Sequence, residues 1–246
     1  MNLLDESPRP GLLVSLGRWG LSLLSTVFLA TATMGAWPFS PRLSRRLEKA
    51  WARTQLRIFG IRLRVEDRNA GAYGQPPYLF VLMNQTSLAE SFVVPVAAPV
   101  PMSIFLNIEF ALIPFVGWAS WLLGGVVVVR QWRAQARRAA RKADRLLQRG
   151  RSFYISIEGR RSPSGALLPY KKGPVMMALT SGARIIPFYV LGARRVWPYG
   201  EWRVRPGEVT VVFGKPVSLE GRSIEERDHI VAELEALARA ELAHPG

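Results

Sequence analysis

Six consecutive apolar residues, Tyr78-Leu79-Phe80-Val81-Leu82-Met83, run into the polar stretch Asn84-Gln85-Thr86-Ser87. An apolar run of this length without alternation reads as a strand covered on both faces. Ser87 is positioned to open a short helix behind it. A strand that ends in a polar turn and then a helix is where α/β proteins place binding and chemistry. Asn84, Gln85, Ser87 and Glu90 are therefore candidate site residues.

The rest of the chain repeats the alternation. Ser44 to Phe59 reads as an amphipathic helix with Leu43, Leu47, Ala50, Trp51 and Ile58 on its apolar face, closed by Gly60. Ile61 to Glu66 alternates with period two, as a strand with one wet face does. Met102 to Leu106 and Ser152 to Ile157 read as strands, as does Val126 to Val129, whose four valines suggest burial on both faces. Ile108 to Leu123 reads as an apolar helix broken at Pro114. Arg130 to Arg149 is a helix with an arginine stripe (Arg133, Arg137, Arg141, Arg145, Arg149) beside Ala136, Ala140, Ala143 and Leu147. Lys172 to Ser181 continues the helices, Arg184 to Leu191 and Glu208 to Phe213 the strands. Ser223 and Glu226 form a capping box for a final helix with Ile230, Leu234, Leu237 and Leu242 inward. The expected fold is α/β, a mainly parallel central sheet flanked by helices, with an N-terminal membrane-associating helical segment.

That segment is Trp19 to Pro41, which carries no charge. As a helix up to Trp37 it would span roughly 30 Å, about one hydrocarbon core. Trp19 and Trp37 bracket it as interfacial anchors do, and Arg42, Arg45, Arg46 and Lys49 follow, which, if the segment spans, puts what comes after on the cytoplasmic side. An anchor or in-plane helix, a cleaved leader ending near Ala30-Thr31-Ala32, and a buried core helix all fit the residues. The chain divides into residues 1–41 as the membrane-associating segment, 42–220 as an α/β domain and 221–246 as a C-terminal helix packed on it.

Composition narrows the partners. A formal charge of +15 with 49% hydrophobic residues is too apolar for a disordered basic tail. Zinc spacings, RNP-like boxes and basic heptads are missing, so an anionic membrane surface explains the charge better than nucleic acid does. Without cysteine there is neither a disulfide nor thiol chemistry.

Four blocks in order resemble the glycerolipid acyltransferases (1-acylglycerol-3-phosphate acyltransferase-like, PlsC type). Asn84 to Glu90 resembles their N-H-x4-D box, with Gln85 at the histidine and Glu90 at the aspartate. Phe105 to Glu109, then Pro114, Gly117, Gly124 and Arg130, resembles the K-x-E-x4-P-x2-G segment without its lysine. Glu158-Gly159-Arg160-Arg161-Ser162, followed by Gly165, Tyr170, Lys171 and Gly173, is similar to F-P-E-G-T-R-S. Ile186 to Val190 is similar to V-P-V-x-P. The resemblance implies acyl transfer from acyl-CoA or acyl-carrier protein to a lysophospholipid hydroxyl at the cytoplasmic face of a membrane, bacterial inner membrane included. It also implies no tightly bound cofactor and no metal.

The chemistry calls for a base for the acceptor hydroxyl, donors for the thioester oxyanion and cations for the acceptor phosphate. Arg161 is the leading phosphate ligand, with Arg130, Arg160, Lys171 and Lys172 behind it. Gly159 lets backbone approach a ligand. Glu158 and Ser162 complete the candidate binding set. Gln85 cannot serve as base, since an amide takes up no proton near neutrality. The two histidines, His229 and His244, are C-terminal. Three readings stay open: Glu90 is the base, its pKa raised by burial; the chain binds lipid or acyl donor without turnover; or the acceptor is an amine that needs less help.

Overall fold

A computed structural model of the chain describes residues 8–69, 73–75, 77–129 and 132–243, apart from the Arg133 side chain. Arg130 and His244 lie outside the described residues. The chain opens with two helices, α1 (Leu12–Ala36) and α2 (Pro41–Phe59), then β1 (Ile61–Asp67), β2 (Tyr78–Leu82), α3 (Glu90–Ala97) and β3 (Met102–Asn107). Two short helices, α4 (Ile108–Ala111) and α5 (Val116–Leu122), lead to β4 (Val126–Val128), α6 (Arg133–Gln148) and β5 (Ser152–Ser156). The remainder is α7 (Lys172–Ser181), β6 (Arg184–Leu191), α8 (Ala193–Val196), β7 (Gly207–Phe213) and α9 (Arg227–Ala243).

The strands form one sheet in the order β1-β7-β6-β2-β5-β3-β4. All neighbours pair in parallel except β6 and β7. The apolar run sits at the centre, as its composition requires. Tyr78, Phe80 and Leu82 enter one core with Phe59, Phe92, Val93 and Val196, residues of α2, α3 and α8. Leu79, Val81 and Met83 enter the other with Ala143 and Leu147 of α6, Val175 of α7 and Ile230 and Leu234 of α9. Pro187 is tolerated inside β6 because the ladder to β7 begins only at Phe188.

Several expectations are corrected. The four-valine strand is the edge strand β4, and only Val126 of it is fully buried, because no strand follows it in the sheet. The helix from Ile108 is two short helices separated by Phe115, whose φ of 65° breaks the ladder beyond Pro114. Ser87 does not start α3. The turn runs on through Ala89, and Glu90 is the first helical residue.

The inward face of α2 is Ser44, Ala52, Gln55, Leu56 and Phe59, while Leu43 is exposed. The reason is α1. Its buried residues are Ser15, Ser22, Ala30 and Thr33, whereas Leu13, Leu24 and Phe28 are 82%, 69% and 72% exposed. Polar side chains join the two helices: Ser22 Oγ donates to Gln55 Oε1 at 2.6 Å, Trp51 Nε1 to Thr26 Oγ1 at 2.9 Å, and Ser44 Oγ to the Thr33 carbonyl at 3.0 Å. A helix that buries its hydroxyls and turns its leucines outward is not a core helix of a water-soluble protein.

Candidate active site

The turn after β2 is held from three sides, mainly by side chains that bond backbone groups. Asn84 extends the ladder: its amide donates to the Val190 carbonyl at 3.0 Å, and its oxygen accepts the Val190 N–H at 2.9 Å. Both of its polar groups are thereby occupied, so Asn84 positions the turn. Ser87 does the same toward the segment after β6, with Oγ donating to the Trp197 carbonyl at 2.8 Å and accepting the Ala89 N–H at 3.1 Å.

The loop after β5 clamps the opposite side. Glu158 is 1% exposed, and its two oxygens accept the Gln85 and Leu168 N–H groups, each at 2.6 Å. The Ser162 N–H donates to the Gln85 carbonyl at 2.7 Å, while its Oγ donates to the Ala166 carbonyl at 2.6 Å. Tyr170 reaches the Met83 carbonyl at 2.7 Å. Gly159 takes a left-handed φ of 71°, with the Lys171 stem beside it. Burial raises the Glu158 pKa, and the two N–H groups pull it back. Glu158 and Ser162 thus form the frame that holds Gln85.

Glu90 is 2% exposed. Its Oε1 accepts the Thr86 and Ser87 N–H groups at 2.7 and 2.9 Å, folding the turn onto the start of α3. Its Oε2 is buried and unpartnered, and so is Gln85 Oε1. Burial pushes the Glu90 carboxyl up to about 8. The two N–H groups oppose that shift, the Glu158 charge adds to it, and the Arg161 guanidinium lowers it.

Of the cations, Arg161 is half-buried and stacks on the Tyr199 ring at 4.9 Å. Arg160 and the Lys171 side chain are exposed at the rim. Lys172 leaves the set because it pairs with Asp228 of α9 at 2.8 Å. His229 is exposed on α9, paired with Glu233 at 2.9 Å, and takes no part in the turn. Trp197, Tyr199 and the Val190 and Leu168 backbones were invisible in the sequence reading. They act through main-chain groups or stacking from distant segments, which no local pattern marks.

The turn after β2 thus presents two buried, unpartnered oxygens, Glu90 Oε2 and Gln85 Oε1, at the end of the central strand of a seven-stranded, mainly parallel α/β sheet. Residues 64–191 match the acyltransferase family model. Over 141 residues, 57% of this chain, it is 31% identical to the 1-acyl-sn-glycerol-3-phosphate acyltransferase of Pseudomonas aeruginosa, covering 53% of that protein. Over 175 residues, 71% of this chain, it is 28% identical to the enzyme of that name from Limnanthes douglasii, covering 61% of it. The chain thus spans little more than half the length of these relatives. The crystal structure of the 1-acyl-sn-glycerophosphate acyltransferase PlsC from Thermotoga maritima superposes with a TM-score of 0.79 at 23% identity, covering 95% of this chain and 96% of that one. The chain belongs to the acyltransferase family, PlsC-like in fold.

Proposed function

We propose that the chain is a membrane-surface acyltransferase that moves a fatty acyl group from a thioester donor, acyl-CoA or acyl-carrier protein, to the free hydroxyl of a lysophosphatidate-type acceptor. The observation that carries this reading is the pair of unpartnered buried acceptors, Glu90 Oε2 and Gln85 Oε1. Buried polar atoms without partners are rare and call for an explanation. A substrate hydroxyl, with its single O–H, supplies the missing donor to Glu90 Oε2.

In this reading ionised Glu90 takes the hydroxyl proton as the oxygen attacks the thioester carbonyl. The tetrahedral oxyanion collapses, expelling the thiolate, which recovers the proton from Glu90. The Gln85 amide N–H groups serve the oxyanion, and Arg161 the acceptor phosphate. Arg160 and Lys171 extend the cationic rim. An apolar cavity of about 440 Å³, lined by Ala111, Gly117, Trp118, Trp121, Leu122 and Val127, is of a size for an acyl chain. The outward leucines of α1 favour a seat in one leaflet, with the arginines that follow on the cytoplasmic side. Residues 1–41, 42–220 and 221–246 act in this reading as membrane seat, catalytic domain and packed terminal helix.

One observation favours a second reading. Glu90 Oε1 is already committed to two backbone N–H groups, as a purely structural cap would be, which suits a lipid-binding homologue without turnover. Labelled acyl-CoA with 1-acylglycerol 3-phosphate separates the two. The native chain is expected to form product, and Glu90→Gln to lose about 10²–10⁴ of the rate. Undiminished product from Glu90→Gln sinks the carboxylate base. No product from the native chain, with activity created by Gln85→His, establishes the binding reading.

A further inference from the structure

The strands have a second end. Near the starts of β2, β3 and β5, Tyr78, Ser103 and Ser152 line a cavity of about 680 Å³ together with Trp37 and the first turns of α2. The run from Tyr78 to Asn84 is extended, so this cavity is roughly 20 Å from the Glu90 turn, with the sheet between them. Four arginines face it: Arg42, Arg45, Arg46 and Arg151, and no acidic side chain is among its described lining residues.

The arginines differ in their commitments. Arg45 is spent on the fold, with Nη1 donating to Glu48 at 3.1 Å and to the Met102 carbonyl at 3.0 Å and Nη2 donating to the Leu123 carbonyl. Arg42, Arg46 and Arg151 form no ion pair among the described residues. The Arg151 guanidinium lies in a niche that Gly124 leaves open: a Cβ there would meet Nη1 at 2.6 Å, and Ser103 Oγ at 2.9 Å. Three exposed guanidiniums without an ion pair around one concavity favour an anion there.

The surroundings identify that anion. Trp37 lines the cavity at the end of α1. The neighbouring Phe39, in the connection to α2, is 89% exposed, and Phe28 further back on α1 is 72% exposed. A cationic cavity beside exposed aromatic side chains at the end of a helix with an outward apolar face suits contact with lipid headgroups. We propose that this cavity is a second binding site, separate from the Glu90 turn, for the phosphate of an anionic phospholipid headgroup.

Soluble short-chain phosphatidylglycerol, titrated calorimetrically into the full chain, is expected to bind, with inorganic phosphate far weaker. Arg151→Gln is expected to weaken the lipid about tenfold, on the scale of one charge-assisted contact. Its acyl transfer to a soluble acceptor should stay unchanged, which keeps a failure here distinct from a failure of the proposed activity. In a second arm, phosphatidylcholine vesicles are compared with vesicles that also contain phosphatidylglycerol. Arg42→Gln/Arg46→Gln/Arg151→Gln should lose most of the gain from anionic lipid. Arg137→Gln/Arg141→Gln/Arg145→Gln, equal in charge but on the face opposite α1, should keep it. Equal loss in both triple variants, or inorganic phosphate binding as tightly as the lipid, would overturn the proposal.

Discussion

Glu90 spends one oxygen on the fold and leaves the other free, which makes its protonation state measurable in two ways. A base has to be ionised, so with a pKa near 8 the transfer rate should climb about tenfold per pH unit below 8 and flatten above it, read from kcat/KM against pH. Stability runs the other way. The folded-state pKa lies above the unfolded value, so the stability contributed by neutral Glu90 is complete below about 4.5 and is lost as pH rises through about 8. Denaturant midpoints should show Glu90→Gln flattening this slope and unfolding at higher denaturant than the native chain above pH 8. Its amide oxygen can still accept from Thr86 and Ser87. Glu158→Ala tests the frame: it strands two buried N–H groups, at about 1–3 kcal/mol each, in urea unfolding, whereas Glu158→Gln should cost less because its oxygen keeps one of them. The residue types were legible in the sequence, but the roles of Asn84, Ser87 and Ser162 were not. Each looked like a ligand group, and each is consumed by backbone: Asn84 and Ser87 by distant segments, Ser162 by Ala166 of its own loop.

At the scale of elements, α1 and α2 pair through hydroxyls and amides that a hydrophobic pattern cannot register. The sequence showed an uncharged helix and left open where it sits. The polar seam to α2 decides that, because burying Ser22, Thr33 and Gln55 turns the leucines outward. Leu24→Glu/Phe28→Glu should therefore release the chain from vesicles in a flotation assay while leaving its thermal midpoint within a few degrees, since both side chains are exposed. The box at Ser223 and Glu226 is present as read, opening a short 3-10 turn ahead of α9. Ser223→Ala should cost about 1 kcal/mol. The inward stripe of α9 is Ile230, Leu234 and Ala238, with Leu237 47% exposed. The helix meets the sheet along a narrower line than its full set of leucines suggested.

Across the whole molecule, both faces of β2 carry the packing and its C-terminal end carries the candidate site. Val81→Ala empties volume between two packed layers and should cost about 2–4 kcal/mol by chemical denaturation. Activity should fall only in proportion to the unfolded fraction. Two groups of cations within the charge of +15 have different settings: the α6 stripe lies on the α7–α9 side, while Arg42, Arg46 and Arg151 gather at the opposite end of the sheet from Glu90. The sequence alone determined that Tyr78 to Met83 is a doubly covered central strand and that the sheet is mainly parallel, and it pointed to Gln85 to Glu90 as the candidate site. Burial and periodicity are local consequences of side-chain hydrophobicity, and a strand end is marked where they stop. Only the tertiary structure decided which polar groups remain free, which way α1 faces, and which arginines stand together. Each depends on partners far apart in the chain, and a buried acceptor is left unpaired only by where every other donor has gone.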